Sequence, residues 1–245
     1  ELVREKLGEW VISVGFSSDG SRAFAVSQTG LVTLIDVASQ NAQTQPTGLR
    51  VSVAEMDPTG DRIALGTKDG SVAIWDVRSG RLVRSLKVHD DNVRVVRFAP
   101  DGMLMSAADD GTVYVANVET GAELHSLPRF DHWVFDARID QSGWYLATAA
   151  GRLGAIWSVG SDTPAAELPH GDVIEELRFD RTGTRIVTAS RDRTARVWQV
   201  PDGAPVATLL HPQGVSHAAI LPNGDHVVTG SEDGAIRLWS IASGE

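Results

Sequence analysis

The stretch ASRDRTARVW (residues 189–198) decides the fold, because the Trp at its end belongs to a column that recurs along the whole chain. Steps of 40 or 41 residues from Trp198 lead to the equivalent positions Ile35, Trp75, Ala116, Trp157 and Trp239. A constant spacing of this length indicates a tandem structural repeat. We therefore interpret the 245 residues as six copies of one unit.

Turn-forming stretches recur with the same period. They are SSDG, DPTG, APDG, DQSG, DRTG and LPNG, which end at Gly20, Gly60, Gly102, Gly143, Gly183 and Gly224. Gly adopts positive φ without strain and Asp or Asn tolerates it, so these stretches predict tight turns. The segments between turns, such as VRVVRF (93–98) and ARVWQV (195–200), are short and rich in Val, which predicts strands. Each repeat should supply about four antiparallel strands.

The composition narrows the classes of function. The chain has a formal charge of −10 and no Cys, which excludes disulfides, thiol catalysis and thiolate metal sites. We see no apolar run long enough for a membrane span and no signal peptide. A cytoplasmic protein is therefore expected, and the Ala-, Arg-, Gly- and Asp-rich composition favours a bacterial source. The chain starts at Glu1 rather than Met, so we expect a module of a larger multidomain protein.

The period, the four predicted strands, a His near the start of a repeat and Trp-Asp near its end resemble the WD-repeat β-propeller family. The pair is literal only at Trp75-Asp76. The resemblance covers the whole chain. It implies an all-β propeller of four-stranded antiparallel blades that forms a single domain over residues 1–245.

The leading segment ELVREKL (1–7) resembles RLVRSLK (81–87), which is predicted to be an outermost strand. We therefore favour six blades closed by the N-terminal strand, as family propellers close. The alternative is part of an array of seven or more blades. Closure matters because an open ring leaves bare strand edges that promote aggregation.

The resemblance also implies a hydrogen-bonded chain of His, Ser or Thr, Asp and Trp within a repeat. Two repeats contain all four: His170, Thr188, Asp192, Trp198 and His211, Thr229, Asp233, Trp239. A third contains His89, Ser106 and Asp110, with Ala116 in the Trp position. A catalytic triad occurs once, beside a cleft, so we interpret these repeated sets as buried structural networks.

Family members usually bind proteins or peptides on one flat face, and the resemblance places three positions of each repeat there. The candidate partner-binding residues are Trp10, Gln28, Arg50, Ser52, Lys68, Asn92, Arg94, Asp109, Trp133, Phe135, Glu175, Arg191, Ser216 and Glu232. Trp10 and Trp133 share one repeat position, and aromatic residues dominate binding hot spots. They could instead cover the ends of the core. Trp144 follows a turn at the opposite face, where we expect partial burial.

Other sites find little support in the sequence. Residues 89–91 and 131–132 combine His with Asp but lack the spacing of metal ligands. No Gly-rich phosphate loop indicates a cofactor. Residues 171–200 contain six Arg and five acidic residues, so their charges nearly cancel and we expect no nucleic-acid partner.

The sequence therefore predicts a non-catalytic scaffold for protein or peptide binding. One alternative is a propeller enzyme that uses its central channel, for which the inner strands offer Glu55, Asp136, Glu175, Glu176 and His217. Another is an architectural ring for oligomerisation. Size-exclusion mass measurement separates the last alternative from a monomeric binder.

Overall fold

The structure, a computed structural model, describes residues 7–244, and these fold into strands joined by turns and loops. One short 3-10 turn, Pro100–Gly102, interrupts the pattern. The strands are four to seven residues long. They form six separate antiparallel sheets, so the all-β class predicted from the repeat is confirmed. The chain divides into two compact units.

The first unit contains sheets 1 and 2 and most of sheet 3. Sheet 1 has β1 (Val11–Phe16), β2 (Arg22–Ser27), β3 (Leu31–Asp36) and β4 (Ala42–Pro46). Sheet 2 has β5 (Val51–Met56), β6 (Arg62–Thr67), β7 (Ser71–Asp76) and β8 (Arg81–Lys87). Sheet 3 has β9 (Val93–Ala99), β10 (Met103–Ala108), β11 (Val113–Asn117) and β12 (Glu123–Ser126). Each sheet is a meander in which consecutive strands pair.

The second unit contains sheets 4, 5 and 6. Sheet 4 has β13 (Val134–Ile139), β14 (Tyr145–Ala150), β15 (Leu153–Ser158) and β16 (Ala166–Pro169). Sheet 5 has β17 (Ile174–Phe179), β18 (Arg185–Ser190), β19 (Thr194–Gln199) and β20 (Pro205–Leu210). Sheet 6 has β21 (Val215–Ile220), β22 (His226–Ser231) and β23 (Ile236–Ser240).

The sixth sheet has three strands within the described residues, where the repeat predicts four. The predicted closing segment, ELVREKL, falls on residues 1–7, and all but the last of these lie outside the described part of the chain. The number of blades and the closure by the N-terminal strand therefore stay predictions.

The predicted turns are present, and each contains a glycine in the left-handed backbone conformation. Gly20, Gly60, Gly102, Gly143, Gly183 and Gly224 all have positive φ. In the turn that ends at Gly183, Asp180 Oδ1 accepts the backbone N–H groups of Thr184 (2.9 Å) and Arg185 (3.2 Å). The Asp carboxylate caps the turn, and Gly provides the left-handed residue that an L side chain rarely adopts.

Apolar side chains fill the space between neighbouring sheets of each unit. In the second unit, Trp198, Ile186 and Leu177 pack with residues of sheet 4 such as Ile156. The central strands are covered on both faces, so β18 is almost entirely buried. The outer strand β8 alternates exposed and half-buried residues along RLVRSLK, because only one of its faces is covered.

Trp144 differs from the expectation. We expected partial burial against a neighbouring repeat, but its side chain is 72% exposed at the turn between β13 and β14. The indole projects from the tip of the turn, beyond the strands that would cover it.

Candidate functional site

In sheet 5 the four residues singled out by the repeat form a continuous hydrogen-bonded chain. His170 Nδ1 lies 2.9 Å from Asp192 Oδ2, and His170 Nε2 lies 2.7 Å from Thr188 Oγ1. The indole N–H of Trp198 donates to the same hydroxyl at 3.0 Å. An ionised Asp only accepts, so the ring carries its proton on Nδ1 and the Thr188 hydroxyl donates to Nε2.

The charge states of this network fit a structural role. Burial alone raises the pKa of Asp192, but hydrogen bonds from Thr194, the Gly171 N–H and His170 together lower it to about 2. Burial lowers the pKa of His170 and outweighs the opposing influence of Asp192. The imidazole is enclosed under Trp198, with ring centroids 6.1 Å apart, so no substrate reaches it.

The corresponding set in sheet 6 differs in one contact. His211 Nε2 lies 2.8 Å from Thr229 Oγ1, and Trp239 donates to that hydroxyl at 2.8 Å. His211 Nδ1, however, donates to the Leu209 carbonyl at 3.0 Å and not to Asp233 as expected. Asp233 instead accepts two hydrogen bonds from Arg237, at 2.7 and 3.1 Å. A two-pronged, charge-assisted contact outcompetes a neutral imidazole.

Sheet 3 contains the network without its Trp. His89 Nε2 lies 2.7 Å from Ser106 Oγ, and His89 Nδ1 lies 3.7 Å from Asp110 Oδ1. A mostly apolar cavity borders Ala116 and Ser106, and its other lining residues include Val72, Leu86 and Leu104. The cavity lies where the other repeats place an indole.

The sequence reasoning missed a further pair in sheet 4, whereas in sheet 2 it found Trp75 without a His or a hydroxyl in its repeat. Trp157 donates its indole N–H to Thr148 Oγ1 at 3.0 Å, while Phe130 stands in the His position and meets the indole edge to face. Thr148 precedes Trp157 by nine residues where Thr188 precedes Trp198 by ten, which obscured the match. In sheet 2, Leu65 replaces the hydroxyl, and the buried Trp75 indole N–H has no acceptor among the described residues.

The predicted binding positions gather at one end of each sheet, which we call the loop end. The N–H groups of Gln28, Lys68, Asp109, Arg191 and Glu232 donate at 2.8–3.0 Å to the carbonyls of Trp10, Arg50, Asn92, Val173 and Gly214, respectively. Each of these hydrogen bonds joins two predicted binding positions of one repeat. The donor is the residue just before the Asp position of the tight turn, and the acceptor is the residue three positions after the His position.

A β-bulge opens the first strand of five sheets. The extra residues are Ile12, Ser52, Phe135, Glu175 and Ser216, which oppose no single partner on the second strand. Bulges redirect a side chain out of the regular pleat and are common beside binding sites. Four of these five are candidate residues, so local backbone geometry distinguishes their position from the rest of the strand.

Several candidates bind one another. Asp109 accepts hydrogen bonds from Asn92, at 3.1 Å, and from Arg94. Arg191 pairs with Glu175 in the same way. The Ser52 hydroxyl donates to the Val93 carbonyl at 2.6 Å and therefore links β5 to β9. These polar side chains already have partners within the protein.

Trp133 and Phe135 stand apart because they are apolar and border an open groove. Trp133 is 53% exposed, and its ring lies 6.2 Å from that of Phe135 at an interplanar angle of 48°. The groove measures about 420 Å³ between the loop ends of sheets 4 and 5. Its lining residues are Asp131, His132, Trp133, Phe135, Gly151, Arg152, Gly171, Asp172 and Val173. Trp10, at the equivalent position of sheet 1, is 82% exposed.

The groove carries charges without ion-pair partners. Asp131, Arg152 and Asp172 are exposed, and none of them makes a salt bridge to any residue within 7–244. The Asp172 carboxylate accepts a single hydrogen bond from the described residues, the N–H of its neighbour Val173 at 2.7 Å. Two carboxylates and one guanidinium therefore surround the aromatic pair.

The inner strands hold the carboxylates that a channel enzyme would use. Asp136 Oδ2 accepts the N–H of Leu177 (3.2 Å), and Glu176 Oε2 accepts that of Ala218 (3.2 Å). Glu176 also contacts Arg178 at 2.7 Å and His217 at 3.3 Å. These carboxylates tether neighbouring inner strands and are charge-compensated. In the first unit, Glu55 likewise accepts the N–H of Phe98 at 3.1 Å.

Two further observations concern other kinds of site. Within the described residues, no group of three His, Asp or Glu side chains has the arrangement of metal ligands. No helix in that part of the chain is long and apolar enough to cross a membrane.

Comparison with known proteins supports the repeat. The family model described as "WD domain, G-beta repeat" matches residues 80–117, 163–199 and 203–240. A "U3 small nucleolar RNA-associated protein 15 homolog" from Xenopus tropicalis is 26% identical over 73% of this chain and 36% of the relative. "Protein sof1" of Schizosaccharomyces pombe is 31% identical over 54% of this chain and 30% of its own length.

A third relative, "WD repeat and SOCS box-containing protein 1" of Danio rerio, is 32% identical over 41% of this chain and 25% of its own length. The chain thus matches about a quarter to a third of the length of these curated relatives. All three are eukaryotic, so they give no support to the bacterial source that the composition favoured. Each matched segment runs from the outermost strand of one sheet through the first three strands of the next and contains a His–hydroxyl contact, so three of the repeats in this chain are WD repeats.

Proposed function

We propose that this chain is a non-catalytic interaction module that binds a protein or peptide in the groove beside Trp133. The observation that carries the proposal is the exposed Trp133–Phe135 pair at the rim of an open groove of about 420 Å³. An exposed aromatic pair beside a concavity has the character of an interface hot spot. The redirected side chain of Phe135 on its bulge adds to this.

The family supports the same class of function, since WD-repeat domains generally mediate protein interactions. Fold alone does not specify function, so the proposal rests on the groove. The module belongs within a larger protein in this proposal, as the three relatives are longer than the chain. A cytoplasmic location stays a prediction.

The enzyme alternative is less well supported. Catalysis needs titratable groups that are free to reach a substrate. Asp136 and Glu176 instead accept backbone N–H groups and pair with Arg138 and Arg178, and Glu176 also contacts His217. Removal of either carboxylate would leave a buried N–H without a partner, which is the signature of a structural role.

An RNA partner is suggested by the printed name of the Xenopus relative, but the arginines of sheet 5 favour it little. Arg178, Arg185, Arg191 and Arg196 each contact an acidic side chain or a backbone carbonyl. A phosphate-binding surface needs unpaired cations, and the charge of −10 opposes binding to a polyanion.

The experiment compares two tryptophans of one sheet. Trp133 lies at the loop end of sheet 4 and Trp144 at the opposite end, and both are more than half exposed. Partner capture from cell extract with the intact chain is repeated with Trp133→Ala and with Trp144→Ala. We expect Trp133→Ala alone to lose the specific partner while the thermal unfolding of both variants matches the parent.

Retention of the partner by Trp133→Ala would contradict the proposed groove. A mass several times that of one chain, without any captured partner, would favour the architectural alternative. Loss of folding in Trp133→Ala would assign the side chain to the core, and Trp133→Phe then tests whether an aromatic ring alone suffices.

A further inference from the structure

We infer that the groove takes a basic segment of its partner, with a Lys or Arg side chain seated against Trp133 and Phe135 and facing Asp131 and Asp172. This inference rests on the proposed function and specifies the chemistry of its ligand. It depends on the aromatic pair, on the unpaired charges of the groove and on the charge of the whole chain.

The aromatic pair provides a surface that attracts cations. The two rings lie 6.2 Å apart and are tilted by 48°, so they form two walls of a corner. A cation over the face of Trp or Phe is attracted by the negative face of the ring. An aliphatic Lys or Arg stem also covers apolar ring surface at the same time.

The unpaired carboxylates lie on two different segments of the groove. Asp131 is in the segment that leads into β13, and Asp172 is in the segment that leads into β17. Neither has a salt-bridge partner among the described residues. Two carboxylates without counterions next to an aromatic corner are complementary to a guanidinium or ammonium group, which both attracts the charge and donates hydrogen bonds.

Arg152 opposes this arrangement with a single positive charge. It lies in the tight turn between β14 and β15, where its carbonyl accepts the N–H of His170 at 3.0 Å. His132 packs on the adjacent backbone, since a Cβ placed on Gly151 would approach the His132 ring to 2.9 Å. The neighbouring Glu175 and Arg191 neutralise one another. The fixed charge of the groove, one guanidinium against two carboxylates, is therefore negative.

The charge of the whole chain acts in the same direction. A formal charge of −10 attracts a basic partner over long range and repels an acidic one. The effect raises the rate of association and weakens with salt. The local and the global charge thus select the same class of ligand.

The test uses two synthetic peptides, acetylated and amidated, with the sequences Gly-Arg-Gly-Arg-Gly and Gly-Glu-Gly-Glu-Gly. Each is titrated into the intact chain at low salt while the indole N–H resonance of Trp133, assigned with Trp133→Phe, is followed by NMR. We expect the Arg peptide to shift this resonance and the Glu peptide to leave it unchanged. The Trp144 indole resonance serves as the internal control.

Variants that change the charge of the groove test whether it prefers a basic ligand. Asp131→Asn combined with Asp172→Asn should weaken the Arg peptide about fivefold, while Arg152→Gln should strengthen it about twofold. No shift of Trp133 with the Arg peptide, or tighter binding of the Glu peptide with both variant effects reversed, would overturn the basic ligand. The proposed function would survive that result, because its own test is whether a captured partner is lost in Trp133→Ala.

Discussion

Trp198 donates its indole N–H to the hydroxyl of Thr188 at 3.0 Å, and this contact joins the last residue of the buried network to its centre. The same contact links Trp157 to Thr148 at 3.0 Å and Trp239 to Thr229 at 2.8 Å. One hydroxyl is thus the hydrogen-bond partner of an indole and, in sheets 5 and 6, of an imidazole as well. Its removal should therefore be costly.

Thr188→Val keeps the shape of the side chain and removes its hydroxyl. The Trp198 N–H and His170 Nε2 then lose their common partner inside the core, and we expect a loss of about 2–3 kcal/mol in the free energy of unfolding. Urea denaturation measures it. Thr208→Val, on the exposed outer strand of the same sheet, is the control and should change stability little. Equal effects of the two substitutions would contradict a central role for the hydroxyl.

Leu65→Thr tests the orphan indole of Trp75. Leu65 is fully buried, so its replacement loses apolar burial, but the new hydroxyl gives Trp75 Nε1 an acceptor. Leu65→Val is the control, because Val has the same shape as Thr but no hydroxyl. At an ordinary core site Val is the more stable of the two, whereas here we expect Thr to equal or exceed Val by about 1 kcal/mol in chemical denaturation. A clear advantage of Val would show that the new hydroxyl does not reach the indole.

Ala116→Trp should restore the missing member of the network in sheet 3. The new indole would lie beside Ser106 and donate its N–H to the Ser106 hydroxyl, but the enclosed cavity measures only about 20 Å³, so the lining side chains must move to admit the ring. Because that movement costs stability, we expect the hydrogen bond to show as a higher melting temperature for Ala116→Trp than for Ala116→Phe. Ala116→Phe fills space without an N–H and is the control. Equal melting temperatures of the two variants would mean that the new indole does not reach the hydroxyl.

Acidification should destabilise the protein in two steps. Burial holds the pKa of His170 in the folded protein below the ordinary value of 6.5, so the unfolded chain binds a proton first and stability falls as the pH drops below 6.5. The pKa of Asp192 in the folded protein is about 2, below its ordinary value of 3.8, so its contribution to stability, about 2 kcal/mol, is present above pH 3.8 and is lost towards pH 2.

The measurement is the free energy of unfolding from pH 7 to pH 2.5. His170→Gln should reduce the first step, to which His89 and His211 also contribute because burial lowers the pKa of both. Asp192→Asn should reduce the second step, to which Asp19 and Asp233 also contribute because hydrogen bonds lower the pKa of both to about 2. A pH profile that is identical for the parent chain and both variants would show that other groups control acid stability.

Much of this architecture could be predicted because the repeat is local in sequence. The Gly turns and the strands between them follow from residue types at fixed spacing, and the contacts of His170 follow from the resemblance to WD repeats. Prediction failed where a side chain had two partners to choose from. Asp233 was expected to bind His211, yet Arg237 lies four residues further on and takes both carboxylate oxygens. Competition of this kind depends on side-chain positions that spacing does not provide.

The candidate site, too, could be predicted from the sequence only in part. The repeat placed Trp133 and Phe135 at the loop end. It did not decide whether Trp10, Trp133 and Trp144 are buried or exposed. All three are exposed, and only coordinates show that Trp133 borders a groove whose carboxylates have no ion-pair partners among the described residues.

The amino-acid sequence alone determined the repeat and the all-β class, because both depend on periodic residue types and on the conformational freedom of Gly. The resemblance to WD repeats implied the hydrogen-bonded sets, and the structure has the complete set in sheet 5 but not in sheet 6. Tertiary structure alone decided which exposed aromatic lies beside a groove and which charges stay unpaired there. Those properties arise when segments about 40 residues apart in the chain, such as those that carry Asp131 and Asp172, are brought together by neighbouring sheets.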